Sequence, residues 1–167
     1  MTRTALVLLL ALLALPREAS AQTARNAAYF ELGGSAIIPS LNYERQFAAN
    51  PARLWYGRLG MSFVTSKTLE DTETTFVIPL TVSSVNRPAS NHHLELGGGV
   101  TFAAGDRQDL FESVDDDEQF SDVFLTGILG YRYQKPDGGF QFRAALTPLA
   151  GGGDFLPWFG LSFGYAW

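Results

Sequence analysis

The sequence predicts an all-β fold: an eight-stranded antiparallel transmembrane β-barrel of up-and-down topology, preceded by a cleaved signal peptide. The first observation behind this is the end of the chain. Residues 158–167 read Trp-Phe-Gly-Leu-Ser-Phe-Gly-Tyr-Ala-Trp, with Phe159, Leu161, Phe163, Tyr165 and Trp167 on one face and Gly160, Ser162, Gly164 and Ala166 on the other. A period of two, with large apolar groups on one side and small groups on the other, suits the wall of a narrow barrel in lipid. The second observation is that this pattern recurs along the chain. The third is the position of the charges, which fall on the small face.

The elements follow in chain order. Met1-Thr-Arg-Thr is a short basic start, followed by the apolar run Ala5–Leu15, then Pro16 and the small-residue site Ala19-Ser20-Ala21. This is the pattern of a secretory signal, since a helix needs about 20 apolar residues to span a bilayer. Cleavage after Ala21 divides the chain into a signal peptide (1–21) and one barrel domain (22–167). The chain has no cysteine, so neither a disulfide framework nor a lipid-modified cysteine is available. Of 12 basic and 17 acidic residues, Arg3, Arg17 and Glu18 leave with the signal and the remainder stays acidic. That balance argues against nucleic acid as a partner.

Strands are expected at 27–38, 40–48, 54–64, 75–85, 92–103, 122–134, 138–148 and 158–167. Most are about ten residues long, enough for a tilted strand to cross the hydrocarbon core. In the first, Phe30, Leu32, Ala36 and Ile38 oppose Tyr29, Glu31, Gly33 and Ser35. In the third, Trp55, Leu59, Met61 and Phe63 oppose Tyr56, Arg58, Gly60 and Ser62. The fifth sets Leu94, Leu96, Val100 and Phe102 against His93, Glu95, Gly97, Gly99 and Thr101, and the seventh sets Phe140, Phe142, Ala144 and Leu146 against Gln141, Arg143, Ala145 and Thr147. Pro79 interrupts the fourth and cannot donate a ladder hydrogen bond, so a bulge or a broken pair is expected there. Gly33-Gly34 and Gly97-Gly98-Gly99 are expected bending points.

Sidedness separates two all-β classes. A soluble barrel keeps apolar residues inside and charges outside. Here Arg45 is the one clear charge on the large face, whereas Glu31, Glu44, Glu95, Arg58, Arg132 and Arg143 lie on the small one. Three acids against three bases form the balanced set that an enclosed lumen requires. Turn positions suggest Glu44 opposite Arg58 and Glu95 opposite Arg132. Arg143 and Glu31 are expected on either side of the last strand.

With the N-terminus in the periplasm, the turns near 49–53, 86–91 and 135–138 are periplasmic, short and rich in turn residues. The connections at 65–74, 104–121 and 149–157 would then be the longer extracellular ones. Phe30, Phe47, Trp55, Tyr131, Tyr133, Phe140, Tyr165 and Trp167 would gather at the periplasmic rim. Phe63, Phe76, Phe102 and Phe159 would mark the other.

Ser40-Leu-Asn-Tyr-Glu-Arg, Gly130-Tyr-Arg-Tyr-Gln-Lys-Pro-Asp-Gly-Gly-Phe and Pro157-Trp-Phe-Gly-Leu-Ser-Phe-Gly-Tyr carry a family likeness. In them the chain resembles small eight-stranded outer-membrane barrels of the OmpA/OmpX type, and more closely the uncharacterised outer-membrane barrel proteins of diderm bacteria. The resemblance implies insertion by the barrel-assembly machinery, with Phe163, Tyr165 and Trp167 as the C-terminal assembly signal. Trp167 stands where a phenylalanine is more usual. The resemblance implies no catalytic residues.

Candidate sites are sparse. The acidic run holds Asp106, Asp109, Glu112, Asp115, Asp116, Asp117, Glu118 and Asp122. Clustered carboxylates can ligate calcium, but the run lacks the EF-hand spacing and central glycine, so a solvated surface loop is favoured. Ser90, His92, His93 and Glu95 could be written as a hydrolytic constellation. Consecutive strand residues face opposite sides, however, and these lie near a periplasmic turn. The glycine clusters lack the Lys-Ser/Thr of a phosphate loop.

The expected function is that of an integral protein of the bacterial outer membrane, embedded in outer-membrane lipid. Its lumen is filled by side chains, because eight strands leave no room for a solute channel. Its role is structural or lies in surface interaction through the extracellular loops. No enzymatic activity, cofactor or metal is expected, and the protein is expected to be a monomer. Two alternatives remain: a lipid-modifying outer-membrane enzyme, which a lipid-A mass shift would reveal, and a soluble periplasmic ligand-binding barrel, which plain buffer would extract.

Overall fold

Alternation of the kind seen in the sequence can bury only one face of each strand, and closing the sheet on itself satisfies every edge. The computed structural model describes residues 24–67, 72–86, 89–105, 120–151 and 154–167. Their strands are β1 (Asn26–Gly33), β2 (Ser40–Ala49), β3 (Arg53–Lys67), β4 (Thr72–Asn86), β5 (His92–Gly105), β6 (Phe120–Gln134), β7 (Gly139–Leu146), β8 (Leu149–Gly151), β9 (Asp154–Leu156) and β10 (Phe159–Ala166). All pairings are antiparallel, and β1 pairs with β10 to close the ring. The expected signal peptide lies outside the described residues.

These ten segments make eight staves. β7 and β8 meet β6 in one continuous register, Leu129↔Leu146 and Thr126↔Leu149. β9 and β10 likewise run in one register along them, Leu149↔Leu156 and Phe159↔Leu146. That register sets Pro148 opposite Pro157, and neither proline has an N–H to give the ladder. The pair is held from its flanks, by Thr147 N–H donating to the Trp158 carbonyl at 2.8 Å and Gly127 N–H donating to the Pro148 carbonyl at 2.9 Å.

This corrects the expected long connection at 149–157, because only 152–153 separates β8 from β9. The connection expected at 65–74 shortens for the same reason, since β3 runs to Lys67 and β4 starts at Thr72. Among the connections on that side, 106–119 is the long one.

The first strand ends earlier than expected. Gly33 and Gly34 take φ of 68° and 73°, values open to glycine, and turn the chain into a 3-10 turn over Gly34–Ala36. Ser35 and Ala36 are fully buried, so this connection folds into the barrel mouth. Ala36 packs with Val77, Ala103, Phe124 and Leu149, with Ile37 and Ile38 against that cluster. The expected lipid-facing placement of Ala36 and Ile38 is therefore wrong: the double glycine breaks the parity before it reaches them.

Pro79 produces a broken pair and no bulge. β3 and β4 pair from Arg53↔Asn86 to Leu59↔Leu80 and resume at Ser62↔Val77 in the same register. Gly60 faces the gap, where a Cβ would stand 2.7 Å from the Pro79 ring. The one register shift between β2 and β3 lies instead at Phe47, between Gln46 and Ala48. Gly97 and Gly99 stay in strand β5, but a Cβ on either would meet a β4 carbonyl oxygen at 2.5 or 2.0 Å. Their absent side chains let the wall curve closely there.

Leucines and aromatics cover the outside. Leu41, Phe63, Leu125, Phe159 and Tyr165 are all more than 60% exposed, while their strand neighbours Asn42, Ser62, Thr126, Gly160 and Ala166 are buried. Arg45, the outward charge, pairs with Asn26, the first residue of β1. It therefore sits at the barrel end, where a long side chain reaches water.

Candidate functional site

Inward-facing residues fill the lumen in three layers. At the end holding the chain termini, Ala24, Ala27, Tyr29 and Ala166 form one apolar cluster, and Leu54, Tyr56 and Val85 another. At the opposite end the Ala36 cluster closes the mouth. Between them lie Glu31, Glu44, Glu95, Arg58, Arg132 and Arg143, each at most 5% exposed.

The strands deliver these six groups as the parity requires, and the structure brings all of them together. Glu44 sits at the hub. Its Oε2 lies 2.7 Å from Arg143 Nη2, and its Oε1 accepts from Arg132 Nη2. Glu95 pairs with Arg143, Oε2 to Nε at 2.8 Å, and more distantly with Arg132 at 3.9 Å. Arg58 turns to Glu31, its Nη1 reaching both carboxylate oxygens at 3.2 and 3.4 Å. Each acid therefore meets at least one guanidinium. Pairing of this kind offsets the several kcal/mol that desolvating each ion costs.

The expected registers hold in part. Glu44 and Arg58 do stand opposite each other across β2 and β3. Yet Arg58 bonds to Glu31 on β1, past the short side chains of Ser40 and Asn42. Position 95 faces Gly130 while Arg132 faces His93, so Glu95 and Arg132 are diagonal neighbours, not partners directly opposite. Ser162 has Glu31 on one side and Arg143 on the other, as expected. Its hydroxyl donates to Glu31 Oε1 at 3.1 Å. Arg143 itself takes Glu44 and Glu95.

Two tyrosines complete the layer. The Tyr29 hydroxyl accepts from Arg143 Nη1 at 2.7 Å and Arg58 Nη1 at 3.3 Å, joining the two halves of the network. The Arg143 guanidinium carbon lies 4.8 Å from the Tyr29 ring centre, and that of Arg132 lies 4.3 Å from Tyr56. Such stacking favours a desolvated cation. Sequence reasoning placed both tyrosines on the inner face but gave them no role. Their signal was a large aromatic recurring on an otherwise small face.

The inner mouth plug joins the network too. Arg58 Nη2 donates to Ser35 Oγ, and Thr101 Oγ1 donates to the Ser35 carbonyl at 2.8 Å. Ser62 donates to the Pro39 carbonyl. The plug is thus bonded to both β3 and β5.

The residues once written as a hydrolytic set are dispersed. His92 points outward, with Nδ1 2.6 Å from the Tyr131 hydroxyl, and Ser90 Oγ accepts from the His92 backbone N–H. His93 is buried between the Asn86 and Gln134 carbonyls at 2.7 and 3.1 Å, and Glu95 belongs to the arginines. No nucleophile–base–acid relay joins them. The acidic run at 106–119 lies outside the described residues, and among the described residues no three His, Cys, Asp or Glu side chains are grouped to hold a metal. Of the residues expected to form a C-terminal assembly signal, Phe163 and Tyr165 face outward on β10, and Trp167 exchanges backbone bonds with Asn26 at 2.8 and 2.9 Å.

No protein-family model matches this sequence, and no curated protein matches it. Solved structures do resemble it. The N-terminal β-barrel domain of Pseudomonas aeruginosa OprF aligns with a TM-score of 0.58 at 10% identity, over 87% of this chain and 98% of that one. Ail, the attachment invasion locus protein of Yersinia pestis, in complex with the heparin analogue sucrose octasulfate, gives a TM-score of 0.57 at 13% identity, covering 87% and 95%. Ail in a phospholipid nanodisc gives 0.50 at 10% identity, covering 86% and 99%. With its closed antiparallel ring, polar lumen and apolar exterior, this chain has the fold of the small eight-stranded outer-membrane β-barrels.

Proposed function

We propose that the protein is an integral outer-membrane barrel with a sealed lumen, serving a structural or surface-interaction role through its extracellular connections. The observation that carries this is the layered interior: among the described residues an ionic layer lies between apolar clusters at both ends of the lumen. In this reading the termini and the turns at 50–52, 87–91 and 135–138 face the periplasm. The connection 106–119, the longest on its side, then faces the cell exterior. Phe163, Tyr165 and Trp167 serve the barrel-assembly machinery, and the ring closes within a single chain, which supports a monomer in outer-membrane lipid.

The ligand bound to the Yersinia protein does not carry over. Asp106, Asp109, Glu112, Asp115, Asp116, Asp117 and Glu118 give the longest connection a charge that repels a polysulfated molecule. The dispersed Ser90, His92 and Glu95 give no support to a lipid-modifying enzyme. Planar-bilayer recording joined to membrane fractionation tests the proposal. Fractionation with the outer membrane, heat-modifiable gel mobility and no conductance are expected. Stable conductance steps would refute the sealed lumen, and extraction in plain buffer would refute the membrane placement.

A further inference from the structure

The outer wall carries a hollow of about 740 Å³, within the roughly 300–1,000 Å³ usual for small-molecule sites. It runs obliquely over β10, β7, β6 and β5, from Phe159 and Leu146 at mid-wall down to His92 and Asn86. Its floor is Ala144. In register this residue stands between Tyr131 on β6 and Leu161 on β10, so a methyl replaces a large side chain in the outward row. Exposed Leu94 and Leu129 continue the apolar lining. The lower end is polar: His92 Nδ1 is bonded to the Tyr131 hydroxyl, and His92 Nε2 has no hydrogen bond among the described residues.

We propose that this hollow binds one acyl chain of a phospholipid of the periplasmic leaflet, whose phosphate head group meets His92 and Tyr131. The occupant follows from continuity with the lipid-facing belt. The hollow is a dent in the surface that contacts the bilayer, and its polar end lies at the barrel end where the termini and short turns gather. Phospholipid is the lipid with a phosphate at that depth. A second copy fits poorly, because a two-fold contact would set this hollow against itself and leave a void. An acyl chain moves here from lipid, not from water, so the hydrophobic effect contributes little. Dispersion contacts along the lining and hydrogen bonds to the phosphate supply the preference.

The proposal rests on the bilayer placement above, and its test separates the two. The barrel is reconstituted in nanodiscs of phosphatidylethanolamine and phosphatidylglycerol with a trace of phospholipid bearing a diazirine midway along one acyl chain. Failure to insert would overturn the placement itself. After illumination, adducts mapped by peptide mass spectrometry are expected to concentrate several-fold on segments around Leu129 and Ala144 over the segment around Phe30 of β1. Ala144→Trp fills the floor and should abolish this concentration, while Ala104→Trp, also outward but outside the hollow, should preserve it. Heat-modifiable mobility confirms that each variant is folded, and Ala144→Leu replaces the tryptophan variant if that one fails. His92→Ala should weaken the concentration. Even labelling around the wall, or labelling unchanged by Ala144→Trp or Ala144→Leu, would overturn the site. So would efficient disulfide-linked dimers of Ala144→Cys, which would assign the hollow to a second copy.

Discussion

Arg58 offers the sharpest test of the lumen, because two acids compete for it on different grounds. Register puts Glu44 directly opposite, whereas the ion pair goes to Glu31. Glu31→Gln removes one carboxylate charge from Arg58 but leaves its bonds to Thr81 at 2.9 Å, to Tyr29 and to Ser35. The expected loss is that of the carboxylate partner of a buried guanidinium, about 3–5 kcal/mol. Glu44→Gln strips a charge from Arg132 and Arg143 together and leaves Glu95 as their remaining acid. That is the removal of a partner from a buried cluster, expected to cost about 3–5 kcal/mol. Combining each with Arg58→Gln completes two double-mutant cycles. Coupling of about 1–3 kcal/mol is expected between Glu31 and Arg58, and a value near zero between Glu44 and Arg58. Urea titrations in lipid vesicles, followed by tryptophan fluorescence, supply all the free energies. Stronger coupling to Glu44 than to Glu31 would refute the partner assignment and return the lumen to simple cross-strand pairing.

Further outcomes follow from sidedness and from the connections. Leu161→Arg on the outer face should cost about 2–4 kcal/mol near the bilayer midplane, while inward Thr126→Ser, which removes one methyl, should cost about 0.8 kcal/mol; comparable losses in vesicle folding would disprove the parity. Deleting 108–119 should leave barrel folding nearly intact, since loop closure entropy changes by only about 0.6 kcal/mol per halving of length, and thermal melting of the two proteins reads this directly. Chelators should leave the melting temperature of both unchanged, and a loss confined to the wild type would promote the acidic run to a metal site. Arg58→Met should loosen the mouth plug as well as the network, so hydrogen exchange at Ser35 and Ala36 should rise; unchanged protection there would show that the plug stands on its apolar contacts alone.

The wall was legible from sequence because its period survives everywhere the backbone stays extended. Leu161 and Ser162, or Leu59 and Arg58, need no tertiary information to be assigned to opposite faces. Interruptions were harder. Ala36 and Ile38 continue the apolar alternation of the first strand, and only the positive φ of Gly33 and Gly34 reveals that they enter the mouth. Residues 149–157 are rich in glycine and bounded by prolines, a composition that reads as a loop. Pro148 and Pro157 face each other across one register, however, so the two staves lose the same rung and resume beyond it. The charged set was legible as a set, but its pairing was not. Neighbouring strands fix where each Cα stands, whereas an arginine in a narrow lumen can reach across a stave or across the barrel.

That reach limits where function can reside. Glu44 from β2 is bonded to arginines of β6 and β7, and Arg58 ties β3 to β1, to Ser35 of the plug and to Thr81 of β4. A solute path through this layer would require several of these ion pairs to part together in a medium of low dielectric. Each freed charge would cost several kcal/mol without water to receive it. Opening the mouth alone would leave the tyrosine and alanine cluster in place at the other end. The lumen therefore acts as the rigid core that an ordinary soluble protein makes from leucine and valine. Most of the leucines and several valines are here on the outside, facing lipid. What varies without disturbing that core is the outer wall and the connections, and the hollow over Ala144 is one place on the wall where shape departs from a uniform belt.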